Sequence, residues 1–308
     1  MSESLFIESR LRLLRVLKFS DGNGYEGTLE FMDQLRYLEI PWLPRMMSGR
    51  LENLEFLFVT RPNFGNPVFS NLPKLRHLYF KSPSSVSEDW KIPQTHNLET
   101  LSGVRLRDLN EEKILRCFPN LRHLKCYYGS SRINDCPDLS FLPQLESIRM
   151  TFYSRQSKFR EINFPTNIKK LSLSGYFLCE RMSTIGKLPN LEILKLKFVD
   201  FVGENWNTND DEFQKLKFLK LSDLKFEHWN TSEDHFPTLE RLVLESCNYL
   251  KSIPSALGYI PTLQMIEVHS CGKIVRESAM KIKEEQEENG NEELEVIIYG
   301  LSKLRISL

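Results

Sequence analysis

The chain has no apolar run of the roughly 18 residues that a membrane-spanning helix requires. Its opening, Met1-Ser-Glu-Ser-Leu-Phe-Ile-Glu8, places acids where a secretory leader needs a basic and then an apolar stretch, so the expected location is the cytoplasm. Net charge is missing too. Lys plus Arg number 41 and Asp plus Glu number 41, so no overall field draws the molecule to nucleic acid or an anionic membrane. Any electrostatic partner has to be met by a local patch. The six cysteines (Cys117, Cys126, Cys136, Cys179, Cys247, Cys271) form no CxxC pair, which removes zinc-ribbon and thioredoxin-like readings and leaves reduced thiols. No GxSxG, HExxH or catalytic-cysteine signature occurs, and no GxxxxGK[ST] phosphate loop, for which Gly272-Lys273 is the nearest fragment. The expectation is a chain that is not an enzyme and carries no cofactor and no metal. His77 and His123 share an exposed strand position two repeats apart, which places them roughly 10 Å from each other, too far for one ion.

What the chain does have is repetition. With 41% apolar and 27% charged residues it is composed like an ordinary folded protein, and one phrase, Leu-Pro-x-Leu-x-x-Leu-x-Leu, recurs along it. The clearest copies are Leu72-Pro-Lys-Leu75-Arg-His-Leu78-Tyr-Phe80, Leu188-Pro-Asn-Leu191-Glu-Ile-Leu194-Lys-Leu196 and Phe236-Pro-Thr-Leu239-Glu-Arg-Leu242-Val-Leu244. Taking the penultimate apolar position as a register mark gives Leu17, Leu38, Leu57, Leu78, Leu101, Leu124, Ile148, Leu171, Leu194, Leu219, Leu242 and Ile266. All but one of the spacings between marks fall in the window of about 20 to 29 residues that defines leucine-rich repeats.

The phrase predicts its own structure. Its last apolar positions alternate with polar ones, so each repeat supplies a short strand with one face inward. No repeat can bury its leucines alone, but parallel strands stacked about 4.8 Å apart let each cover its neighbour. The fold class expected is α/β: a leucine-rich-repeat solenoid, or horseshoe, with a parallel β-sheet on the concave face and short helices, turns and loops on the convex side. Residues 1–10 read as a lead-in too short to shield the first repeat. Residues 11–272 hold about twelve repeats, and 273–308 a capping helix (Glu277 to Glu288, with Ala279, Met280 and Ile282 facing the last repeat) and a terminal strand from Leu294 to Tyr299. Cys247 and Cys271 fall where such repeats turn an Asn or Cys inward to bond the turn leaving the strand. Local irregularity is expected at Gly103, which stands at an apolar position, and at Phe164-Pro-Thr-Asn-Ile168, which carries one extra residue. The polar stretch from Gly203 to Glu212 is expected to bulge outward.

The stretches Leu188-Pro-Asn-Leu-Glu-Ile-Leu-Lys-Leu196, His235-Phe-Pro-Thr-Leu-Glu-Arg-Leu-Val-Leu244 and Ile260-Pro-Thr-Leu-Gln-Met-Ile-Glu-Val268, together with Leu11-Arg-Leu-Leu-Arg-Val-Leu-Lys-Phe19, carry a resemblance. They look like the repeats of plant intracellular nucleotide-binding leucine-rich-repeat immune receptors of the coiled-coil class, and within them the late blight resistance group. The resemblance implies a sensor domain that binds a pathogen effector or a guarded host protein, or restrains the receptor's own nucleotide-binding domain. Its nucleotide chemistry does not carry over, because the phosphate loop is missing. The alternative class is the substrate-recognition repeat domain of an F-box-type ubiquitin ligase, which needs a helical module ahead of the repeats.

The candidate protein-binding residues are those flanking the register marks on the outward side. They are Tyr37, Phe56, Phe58, His77, Tyr79, His123, Lys125 and Tyr127, followed by Arg149, Lys170, Lys195, Lys197 and Lys220, before the surface returns to Val243, Glu245 and Glu267. Aromatic side chains come first and basic ones later, a composition suited to interface anchors and an acidic partner.

Overall fold

A computed structural model of the chain describes residues 13–19, 32–43, 51–61, 72–85, 90, 96–106, 113–129, 138–153, 158–159, 163–179, 182–201 and 203–300. These fall into two compact units, one within 1–130 and 138–148, the other within 131–137 and 149–308.

The first unit carries six parallel strands that pair in chain order: β1 (Val16–Lys18), β2 (Tyr37–Ile40), β3 (Phe56–Val59), β4 (His77–Ser85), β5 (Thr100–Leu106) and β6 (His123–Tyr128). Their register places Leu17, Leu38, Leu57, Leu78, Leu101 and Leu124 side by side. In the second unit the strand order is β7 (Ser147–Phe152), β9 (Lys170–Cys179), β10 (Ile193–Phe201), β12 (Phe218–Ser222), β14 (Arg241–Glu245), β15 (Met265–His269) and β16 (Glu295–Tyr299). A two-residue strand, β8 (Lys158–Phe159), pairs with β9. Here Leu171, Leu194, Leu219, Leu242 and Ile266 align, and Val296 continues the row. The fold is the leucine-rich-repeat solenoid that the repeated phrase specifies.

From Leu38 to Ile266 every register residue is at most 2% exposed. Leu17 departs from the expected row: it is only half-buried, because β1 has a strand neighbour on one side alone among the described residues. Backbone polar groups are satisfied between repeats. In most repeats the carbonyl two residues before the mark accepts two N–H groups from the next repeat, as Glu55 does from Arg76 and His77. Ahead of each strand a further polar column bonds repeat to repeat, as in Asn120 Nδ2 to Asn97 Oδ1 (3.0 Å), Lys215 Nζ to Asn190 Oδ1 (2.9 Å) and Thr262 Oγ1 to Leu239 O (2.9 Å).

Both predicted irregularities have a physical form. Gly103 sits at φ +86° in a bulge, so that the pairing of β5 with β6 skips from Ser102–Lys125 to Val104–Cys126 and Val104 takes the buried place. A Cβ at Gly103 would lie 2.0 Å from the carbonyl oxygen of Phe80. At the other site Ile168 N bonds Pro165 O, and Phe164 and Pro165 are both buried, so the turn takes up the extra residue and Leu171 keeps its register; the irregularity of β9 lies further on, where its pairing with β10 slips after Ser174, at Gly175 with φ +112°. The chain leaves several strands through the left-handed region, four positions after the mark, at Phe198, Asp223, Ser246 and Ser270. The residue that follows turns inward, and at Cys247 the thiol bonds Leu221 O (3.4 Å) while Cys271 Sγ accepts Cys247 N–H (3.4 Å). That inward hydrogen-bonding is the expected role. The Cys271 side chain and burial both push the Cys247 thiol up, and burial pushes Cys126 up to about 12. Cys136 lies outside the described residues.

Two expectations are corrected. The stretch after Gly203 does not merely bulge: Asn205–Asn207 forms β11, which pairs in parallel with β13 (His228–Asn230) as a separate two-stranded sheet. Its Trp206 stacks on Trp229 (4.8 Å between ring centres) and packs edge-on against Phe213, Phe226 and Phe236. Burying these large apolar surfaces outweighs the polarity of the neighbouring residues, and even Glu212 is enclosed, accepting from Asn209 N and Nδ2. The helix near the C-terminus also begins earlier, at Lys273. Helix α2 (Lys273–Glu288) buries Val275, Ala279, Ile282 and Gln286, one face at helical spacing, which turns Met280 outward instead of onto the last repeat. A short helix α1 (Met182–Gly186) precedes β10, with Met182 and Ile185 buried.

Candidate protein-binding face

Strand alternation sends one set of side chains to each side, and stacking turns every sequence position into a column of side chains about 4.8 Å apart. In the first unit, the position before the mark gives the column Tyr37, Phe56, His77, Thr100, His123, and the position after it gives Glu39, Phe58, Tyr79, Ser102, Lys125. The sequence-predicted residues are thus brought together within that unit. The aromatic ones are not bare, however. Tyr37, Phe56, Phe58, His77 and Tyr79 are all half-buried. Phe56 stacks on His77 at 4.2 Å, Tyr37 leans on Phe56 at 6.3 Å, and Phe58 on Tyr79 at 6.1 Å. Phe56 and His77 stack face to face and the other rings lean on their neighbours, so the columns form a ribbed apolar strip.

Polar groups pin the strip. Tyr37 OH donates to Glu39 Oε2 (3.2 Å), which also meets Lys18 Nζ at 3.3 Å. His77 Nδ1 lies 3.0 Å from Thr100 Oγ1. Burial lowers the His77 pKa, which favours the neutral ring beside Phe56. His123 is exposed at the far end, and Lys125 and Tyr127 are half-buried beside it.

In the second unit, Arg149 follows the mark on β7, and Lys170 precedes the mark on β9. Lys195 and Lys197 lie on β10 and Lys220 on β12. Arg149, Lys170, Lys195 and Lys197 are exposed and Lys220 is half-buried. Lys197 reaches Asp223 (3.6 Å) and Lys220 reaches Glu245 (2.6 Å), which holds the Glu245 carboxyl below the usual range. Lys195 Nζ stands 5.1 Å from the centre of the Phe218 ring. Two positions expected on the surface are covered: Val243 is 4% and Glu267 6% exposed. The Lys220–Glu245 and Arg241–Glu267 bridges flank Val243, and Glu267 is further bonded by His269 Nε2 at 3.0 Å. Burial opposes its ionisation, but the hydrogen bonds from His269 and Arg241 prevail and hold its carboxyl below the ordinary value.

One column escaped the sequence reading. Two residues before the marks from Leu38 to Leu242 stand Arg36, Glu55, Arg76, Glu99, Arg122 and Glu146, then Lys169, Glu192, Lys217 and Glu240, an alternation of sign over ten positions that ends at Arg15 on one side and Gln264 on the other. Arg36–Glu55 (3.5 Å), Arg76–Glu99 and Arg122–Glu146 (2.5 Å each) and Lys217–Glu240 (3.4 Å) join adjacent strands. Beside it in the first unit, Pro73, Lys74, Asn97, Asn120 and Gln144 line an open groove of about 650 Å³. The signal is visible once the repeats are written in register beneath one another. Among the described residues no cluster of three metal-ligating side chains occurs, and no helix is long and apolar enough to cross a membrane.

No family model matches the chain. Against curated proteins it is 36% identical over 267 residues to a putative late blight resistance protein homolog of Solanum demissum, an alignment covering 80% of this chain and 20% of that protein. A second homolog of that description from the same plant is 33% identical over 295 residues, covering 88% of this chain and 22% of the relative. A third is 33% identical over 272 residues, covering 83% and 35%. The chain spans about a fifth of the length of the first two of these relatives. Among solved structures, a leucine-rich-repeat protein of Leptospira interrogans aligns over 96% of this chain and 98% of its own, at 13% identity and a TM-score of 0.33. The chain is a leucine-rich-repeat solenoid homologous to the leucine-rich-repeat region of the putative late blight resistance proteins of Solanum demissum.

Proposed function

We propose that this chain is the protein-recognition part of a cytoplasmic plant immune receptor, acting by binding and not by catalysis. Its outward strand face engages a pathogen effector or a guarded host protein, or holds the receptor's own nucleotide-binding domain in restraint. The observation that carries the reading is the ribbed aromatic strip Tyr37, Phe56, Phe58, His77 and Tyr79, in which large rings share a regular face with an exposed His123 and a half-buried Lys125 beside them. Apolar surface flanked by polar and cationic groups is the make-up of a docking surface. The resistance-protein relatives supply the biological setting, since their names describe disease resistance.

The test replaces Phe58 and Tyr79 together by Ser in the full-length receptor that contains this chain and follows cell death in leaf tissue. Expression level and proteolytic stability serve as folding controls. Response without pathogen identifies the internal partner, and loss of response to the pathogen identifies the external one. A folded variant with neither change overturns the reading.

A further inference from the structure

The basic side chains of the second unit divide into two classes that the sequence does not distinguish. Lys197, Lys220, Arg241 and Lys217 each have a carboxylate partner within the chain: Asp223, Glu245, Glu267 and Glu240. Arg149, Lys170 and Lys195 are exposed and have none within 4.0 Å among the described residues. From this division we infer that these three cations form the contact for an acidic protein segment. The inference rests on the reading of the strand face as a binding surface and names the chemistry of what lands there.

Geometry selects the partner. The Thr151–Ser174 hydroxyl contact (3.0 Å) sets β7 level with β9, so Arg149, Ser172 and Lys195 occupy one column on three successive strands. Arg149 and Lys195 are therefore rooted two strand spacings apart, about 10 Å, and Lys170 lies two residues before Ser172, about 7 Å along the strand. A lone phosphate or sulfate would have to draw three long, mutually repelling side chains together from roots about 7 to 10 Å apart. Carboxylates on a protein segment match: residues i and i+2 of an extended chain are about 7 Å apart, and i and i+7 of a helix about 10 Å. The patch is short and bordered on the same face by Asp223, Glu245 and Glu267, so it does not supply the long cationic track that a nucleic-acid backbone needs.

The test uses the whole chain and a fluorescent twelve-residue peptide of alternating Glu and Ser, titrated by anisotropy at low and high salt. Wild type should bind at low salt and lose the peptide as salt rises. Arg149→Glu/Lys170→Glu/Lys195→Glu should bind about tenfold or more weakly, since reversal replaces three attractive pairs by repulsive ones. The neutral triple variant with Gln at the three positions should fall between. Lys251→Glu, which alters an exposed cation away from this face, should match wild type. Circular dichroism guards against misfolding, and the Gln variant keeps the test decisive if the Glu variant does not fold. Equal peptide binding by wild type and the triple variants overturns the inference. So does tighter binding of a single-stranded DNA oligomer than of the acidic peptide. Either result leaves the face reading standing if the Phe58 and Tyr79 replacements still change the receptor's response, and that reading alone fails if they do not while the peptide result holds.

Discussion

Gly103 and Gly203 allow a steric effect to be separated from a backbone one. Their φ values are +86° and +84°, but a Cβ at Gly103 would lie 2.0 Å from Phe80 O, whereas one at Gly203 meets nothing within 4 Å. For an alanine, the left-handed conformation alone costs about 1–2 kcal/mol, and the lower chain entropy of the unfolded state returns about 0.4–1 kcal/mol. Gly203→Ala should therefore destabilise by about 1 kcal/mol. Gly103→Ala adds a collision with a main-chain oxygen held by the neighbouring strand, which cannot turn aside as a side chain would. Overpacking of that kind costs about 1–3 kcal/mol, giving a total of about 2–4 kcal/mol. Urea denaturation followed by circular dichroism reads the difference. Because the two glycines lie in different compact units, amide exchange should rise across β4–β6 for the first variant and around β10 and β11 for the second. Should the two alanine variants agree within about 0.5 kcal/mol, the bulge is not held by the close approach to Phe80.

Trp206→Ala should cost about 3–5 kcal/mol by opening a cavity in the aromatic cluster. Trp206→Phe should stay within about 1 kcal/mol of wild type, because it also removes a buried indole N–H that has no acceptor among the described residues; urea midpoints of the two variants decide. Glu267 has a depressed folded pKa, so its contribution is complete above the unfolded value of about 4.3 and is lost as pH falls through the folded one. Stability should decline on acidification through that window, and Arg241→Met should move the Glu267 carboxyl titration, followed by NMR, upward. Arg76→Glu places a third carboxylate between Glu55 and Glu99 in the column and should cost about 1 kcal/mol at low salt. The loss should shrink toward zero in about 1 M salt, where screening is nearly complete.

The register was legible because the apolar phrase states both the strand and its inward face, the face on which Leu38, Leu78 and Leu194 are each buried. Gly103 was legible as a break because only glycine fits where a bulge brings two backbones close. The stretch containing Asn205-Trp206-Asn207 was misread since its composition is polar, although Trp206 stands 23 residues before Trp229, one repeat interval, with polar neighbours on both sides. Periodicity was the better guide there than average polarity. The strand positions of the candidate residues were legible, but their exposure was not: Phe58 and Tyr79 lean on each other, and Val243 lies between two salt bridges. Such coverage depends on residues one repeat away in sequence, and a reading that treats each strand separately cannot see it.

Columns also explain why the uncompensated cations are informative. When repeats stack, each position interacts first with the same position in its neighbours, so a column of one sign accumulates repulsion and a column of alternating sign does not. The column two residues before the mark alternates throughout, from Arg36 to Glu240. The column just after the mark behaves differently in the second unit, where Arg149, Ser172, Lys195 and Lys220 place three cations and no anion on four successive paired strands. Two like charges about 10 Å apart repel by about 0.4 kcal/mol in water and by more near a protein surface. That repulsion contributes nothing to folding, and a neighbouring column of the same sheet shows that the repeat can remove it by substitution at a single position. Charge kept at a cost to the fold is charge directed outward, and of these three only Lys220 has a carboxylate partner among the described residues, leaving Arg149 and Lys195 to a partner that brings its own.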